Sequence, residues 1–120
     1  MKFKGLVWLG IRTEKFNETL KFYRDTLGLP QAYDEPGFAV FDLPNGDRIE
    51  IFSDNYEGRE LFNTGPVVGF EVDDIEQVRL ELEQAGIEFI GPIEKGGHSK
   101  WSHFRGPDGN IYELKWREKS

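Results

Sequence analysis

An α+β fold built from two copies of one βαβββ unit is what this sequence predicts, and three observations carry the prediction. A strand–turn–strand segment occurs twice at a constant separation of 63 positions. An alternating strand followed by an amphipathic helix precedes each copy. The 120 residues suffice for one compact domain and are too few for two independent cores.

The duplicated segment is Phe41-Asp-Leu-Pro-Asn-Gly-Asp-Arg-Ile-Glu-Ile-Phe52 in the first copy and Phe104-Arg-Gly-Pro-Asp-Gly-Asn-Ile-Tyr-Glu-Leu-Lys115 in the second. Phe41 falls on Phe104, Pro44 on Pro107, Gly46 on Gly109 and Glu50 on Glu113. Proline sets φ and glycine accepts positive φ, so each copy reads as a hairpin around Pro-Asn-Gly or Pro-Asp-Gly. Upstream, Val7–Ile11 and Pro66–Val72 alternate as strands.

The helix after the first strand carries Phe16, Leu20, Tyr23 and Leu27 on one stripe, begins between Thr13 and Asn17, and stops at Gly28. The second is capped by Asp74 with Gln77 at capping-box spacing. It buries Ile75, Val78, Leu82 and Ala85, and ends at Gly86. Short strands near Gln31–Asp34 and Ile87–Ile90 follow, closed by Pro36 and Pro92. The predicted layout is one domain over 1–120: module one at 1–53, a connection at 54–66, module two at 67–116 and a charged tail at 117–120. Tyr56, Leu61 and Phe62 are the connection's apolar residues, expected to dock; Leu61 and Phe62 are also candidates for a subunit interface.

Composition removes several function classes. Apolar residues make up 38% and aromatics 14%, enough for a packed core rich in rings. The chain has no cysteine, which excludes disulfides, thiolate metal sites and cysteine nucleophiles. Fifteen basic residues are dispersed among 22 acidic ones for a net charge of −7, the wrong balance for gripping nucleic acid phosphates. The N-terminal run MKFKGLVWLGIR is broken by Gly5 and Gly10 and reads as a strand rather than a signal peptide. No apolar stretch reaches the ~20 residues of a membrane span, so a cytoplasmic location with no membrane partner is the expectation.

Three segments carry a resemblance to a known family. Phe22-Tyr-Arg-Asp-Thr-Leu-Gly28 resembles its FYxxxLG helix end, and Phe70-Glu-Val-Asp-Asp74 its FEVDD strand-to-helix junction. Gly106-Pro-Asp-Gly-Asn-Ile-Tyr-Glu-Leu114 is similar to its DPDGNxxEL hairpin. The family is the vicinal oxygen chelate superfamily, also called the glyoxalase / bleomycin-resistance protein / dioxygenase family, and the likeness spans nearly the whole chain. The resemblance implies that the modules curl a mixed sheet into a cup with the helices outside.

Strand parity then assigns faces. If Leu9 and Ile11 pack on a helix, Trp8, Gly10 and Arg12 face the cavity, and so do Val67, Gly69, Glu71, Arg48, Glu50, Ile111, Glu113 and Lys115. Hairpin register sets His103 opposite Glu113 and Trp101 opposite Lys115. Val40 joins the same face.

Members of the family commonly hold a divalent metal with one residue from the first and one from the last strand of each module. Those positions here are Trp8, Val67, Glu50 and Glu113. The resemblance therefore implies two matching carboxylates and two positions without a metal lone pair. A metal-free small-molecule-binding protein is the expected reading, with Trp8, Arg12, Val40, Arg48, Val67, Trp101 and His103 lining its site. The alternative is a lyase, isomerase or dioxygenase using one Zn, Mn, Fe or Ni held by Glu50, Glu113 and His103. A third option is a cofactor-free enzyme in which Glu50 or Glu113 moves a proton beside an arginine-held oxyanion.

Individual residues keep two readings each. Trp8 is a core plug or a stacking wall for a planar ligand; Arg12 and Arg48 are surface charges or anion clamps; Trp101 is sheet packing or a second wall. His103 is a residue hydrogen-bonded to Glu113 or a ligand. His98, in Gly-Gly-His-Ser, is expected to be exposed on a loop whose glycines supply hinge freedom. The partners expected are a small organic molecule and a second copy of the chain in a homodimer.

Overall fold

A computed structural model describes residues 1–119. The element order is β1 (Gly5–Thr13), α1 (Phe16–Lys21) continued by a π turn (Phe22–Thr26), β2 (Gln31–Glu35), β3 (Phe38–Asp42) and β4 (Arg48–Ser53). It repeats as β5 (Val67–Glu71), α2 (Ile75–Gln84), β6 (Phe89–Gly96), β7 (Ser99–Arg105) and β8 (Ile111–Arg117). The α+β class and the two βαβββ modules stand as the sequence predicts.

Each module is a four-stranded mixed sheet with the same wiring. In module one, β1 runs parallel beside β4, and β4, β3 and β2 follow antiparallel. In module two, β5 runs parallel beside β8, followed by β7 and β6. The parallel pairing explains the helices, since a parallel crossover needs a connection of a dozen or more residues. The hairpin turns take positive φ at Gly46 (+90°) and Gly109 (+82°), as their Pro-Asn/Asp-Gly sequences require.

Each helix covers one sheet face. Phe16, Leu20 and Tyr23 pack on Ala39, Phe41, Ile49 and Ile51, with Leu9 beside them. Ile75 and Val78 pack on Val72, Phe104 and Leu114. Residues of opposite parity, including Trp8, Glu50, His103 and Glu113, therefore lie on the face away from the helix. Asp74 caps α2 through a 3.0 Å bond from the Gln77 backbone N–H to its Oδ1.

Three expectations need correction. Leu27 is half exposed and off the buried stripe, because the π turn inserts an i→i+5 bond (Leu27 N to Phe22 O, 2.9 Å) that rotates the helix end; Leu29 packs on the cluster in its stead. Ala85 is exposed: it sits at the C-cap with ψ near 2°, where the helical stripe has ended. Pro92 does not close β6 but lies inside it, where the register shifts between Ile90 and Glu94 and Gly91 takes φ +74°. A bulge on the module's edge strand tolerates a residue with no N–H. Residues 1–7 pack with module two. The Lys4 N–H bonds Glu71 O at 2.9 Å, its ammonium meets Asp73 at 3.0 Å, and Phe3 packs edge-on against Phe70.

Candidate functional site

In module one the site residues converge on Glu50. Register places Gly10 directly opposite Glu50, with Trp8 two residues earlier on the same face. The indole of Trp8 lies along the strand, crosses Gly10, and donates from Nε1 to Glu50 Oε1 at 3.0 Å. Only a residue without Cβ fits beneath it: a Cβ at Gly10 would sit 2.0 Å from the ring carbon Cη2. Trp8 is 5% exposed.

The connection closes over this tryptophan. Phe62 packs edge-on against both Trp8 and Phe52 (5.8 Å each), and Tyr56 packs on Phe38 and Phe52. Phe62 is buried by its own chain and is therefore not an interface residue, a correction to the expectation for it. Its cause is the aromatic surface of β1, β3 and β4, which needed a cover that the helix on the other face does not supply.

The arginines find partners inside the module. Arg48 Nε donates to Asp42 Oδ1 at 2.8 Å, from the position directly opposite it in the register. Arg12 donates from its guanidinium to the Asp54 carbonyl. Val40 is buried opposite Glu50.

Module two holds its glutamate differently. His103 and Glu113 face each other across β7 and β8, as hairpin register predicts, with Nε2 2.9 Å from Glu113 Oε1 and both side chains about 95% buried (5% and 4% exposed). Val67, at the position matching Trp8, is fully buried. Trp101 stands opposite Lys115 and lies over Gly96, where a Cβ would meet its ring at 2.7 Å. His98 is exposed near the β6–β7 hairpin tip, 2.8 Å from Glu118 through Nδ1.

The repeat thus places its two glutamates in matching positions and gives each a different ring nitrogen. Glu50 takes the indole N–H of Trp8 from the first strand, while the position matching His103 is the apolar Val40. Glu113 stands 2.9 Å from the imidazole Nε2 of His103, while the position matching Trp8 is Val67. Within each module, among the described residues, no three His, Asp or Glu side chains gather as a metal-holding group. No helix among the described residues is long and apolar enough to cross a membrane. Sequence reasoning put Gly10 on the cavity face and expected Phe62 to dock, but it did not see that Gly10 makes room for the indole or that Phe62 docks on Trp8. The Trp8-x-Gly10 spacing was the available signal for the first, because i and i+2 share a strand face.

The family model for the Glyoxalase/Bleomycin resistance protein/Dioxygenase superfamily matches residues 5–114. The uncharacterized protein YraH of Bacillus subtilis is 28% identical over 91% of this chain and 95% of its own length. A hypothetical protein from Bacillus halodurans superimposes with a TM-score of 0.77 at 19% identity, covering 100% of this chain and 98% of that one. A methylmalonyl-CoA epimerase variant from Streptomyces coelicolor, in complex with 2-nitronate-propionyl-CoA, gives 0.71 at 17% identity, covering 98% and 100%. The two structures share the fold, and the family model extends the likeness through both duplicated hairpins. The chain belongs to the glyoxalase/bleomycin resistance protein/dioxygenase superfamily.

Proposed function

We propose that this protein binds a small organic molecule and does so without a metal. The observation that carries the reading is the 3.0 Å hydrogen bond from Trp8 Nε1 to Glu50. At the first-strand position where relatives commonly present an imidazole or amide, this chain presents an N–H donor with no lone pair. It occupies the carboxylate that a cation would otherwise use. Val67 offers no donor at the corresponding place in module two. A four-ligand metal set does not fit these residues. Solved relatives that hold an organic ligand, such as the epimerase variant above, support a small-molecule partner.

Metal analysis tests this directly. Protein purified without a tag is expected to carry well under one divalent ion per chain by elemental analysis, as an incomplete ligand shell requires. Stoichiometric Zn, Mn, Fe or Ni that is lost on Glu113→Gln would replace the binding reading with the metalloenzyme. That alternative has one observation in its favour, the 2.9 Å His103–Glu113 contact, which keeps an imidazole and a carboxylate together.

A two-fold homodimer belongs to the same reading, since closed symmetric pairs are the commonest soluble assembly. With Phe62 buried, Leu61 is the connection residue left to contribute to such an interface. Light scattering in the micromolar range is expected to return twice the chain mass, and a monomer there would remove the dimer from the proposal.

A further inference from the structure

Helix α2 leaves part of its sheet face uncovered. From the buried Phe104, which Ile75 and Val78 cover, a row of rings continues through the half-buried Tyr112 and Phe70, one from each of three adjacent strands. Neighbouring centroids are 6.1 and 5.6 Å apart, with interplanar angles of 23° and 18°. They floor a groove of about 460 Å³ whose walls include Ile87, Pro107 and Asp108. That volume falls within the ~300–1,000 Å³ range of small-molecule sites.

The repeat supplies its own comparison. In module one the ring matching Phe104 is Phe41, and the π turn brings Tyr23 against it at 5.9 Å while Leu29 joins the same cluster. Tyr112 is matched there by Ile49, so no row of rings forms. Module two has the surface that module one fills.

Asp108 supplies the charge among the residues lining the groove. It accepts from the Tyr112 hydroxyl at 2.6 Å and from the Asn110 backbone N–H and Nδ2, each at 3.1 Å. All three donors are neutral, so the carboxylate keeps its full charge while being fixed in place. Those bonds, the tyrosine's first, hold its pKa below the usual carboxylate range. Arg105, which could cancel this charge, alternates to the other face and donates to the Gly109 carbonyl at 2.8 Å. Gly106 lets the turn lie against the ring, since a Cβ there would stand 2.6 Å from Tyr112.

We propose that this groove is a second binding site, separate from the Trp8–Glu50 and His103–Glu113 faces, for a planar aromatic cation. The ligand's ring packs against the edges of Phe70 and Tyr112 and its charge lies toward Asp108. The stacked rings turn their faces to one another and offer the ligand apolar edges that exclude water, the carboxylate attracts its charge directly, and the chain's net charge of −7 favours the same sign.

Amide NMR titration of the full chain tests the proposal with N-methylquinolinium, neutral quinoline and naphthalene-2-carboxylate at neutral pH. The cation is expected to shift the Gly106, Asp108 and Tyr112 resonances saturably and to bind about tenfold or more tighter than the anion. Quinoline should fall between them. Asp108→Asn should weaken the cation several-fold and narrow its advantage. Ile87→Arg, which leaves the turn intact and puts a positive charge in the wall, should do the same. Equal affinity for the three probes, no saturable shift in the millimolar range, or shifts that neither variant alters would each overturn it.

Discussion

Gly10→Ala is expected to destabilise the protein by about 3 kcal/mol or more, large for one methyl group in a strand where alanine's backbone preferences are acceptable. The cause is the ring it would strike. A Cβ at position 10 lies 2.0 Å from Trp8 Cη2 and 2.7 Å from Cζ2 and Cζ3. The ring cannot withdraw cheaply, because Phe62 packs on it and its Nε1 donates to Glu50. Displacing it forfeits packing and that hydrogen bond together.

Trp8→Ala removes the obstacle and should cost about 3–5 kcal/mol as a cavity. The double variant Gly10→Ala/Trp8→Ala should then cost little more than Trp8→Ala alone, a coupling of several kcal/mol between residues in contact. Urea unfolding followed by circular dichroism measures all three. Additive losses would show that Gly10 answers to something other than the indole. Trp8→Ala also separates the readings of that residue: a wall of a binding site loses ligand affinity on the substitution, whereas a plug loses mainly stability.

Replacing His103 by leucine should cost about 3–5 kcal/mol, because it leaves the Glu113 carboxylate buried without its imidazole partner. The glutamate side chain is only 4% exposed, so water cannot take over without local opening. Removing both partners, as His103→Leu/Glu113→Leu, should recover a large part of that loss, since an apolar pair of similar shape avoids the desolvation cost altogether. If the double variant is as unstable as the sum of the singles, the contact contributes no coupling and the two residues matter through other neighbours. Module one explains why a valine at the position matching His103 is tolerated there: Glu50 already has the indole N–H of Trp8.

The duplicated hairpins, both helices and the pairing of His103 with Glu113 were legible because each rests on local chemistry or fixed periodicity. Pro-Asn-Gly and Pro-Asp-Gly admit few turns, Asp74 has one way to cap, and hairpin register follows once the turn is set. The pairing between Trp8 and Glu50 was not legible. Parity put both on one face, but the bond depends on parallel register across 42 positions and on the space above Gly10. The place of Leu27 escaped for a similar reason, since one added residue in a π turn rotates everything after it.

What the sequence by itself determined is the α+β class, the repeat, the strand faces and the two glutamates at matching positions. These follow from alternation, turn residues and identity at a spacing of 63. Only the tertiary structure decided which nitrogen each glutamate meets, that Phe62 folds onto Trp8, and that one module leaves open the ring surface the other fills. Those outcomes turn on volume and distance between residues far apart in the chain. A one-dimensional pattern carries the direction of a side chain and leaves its neighbours to the packing.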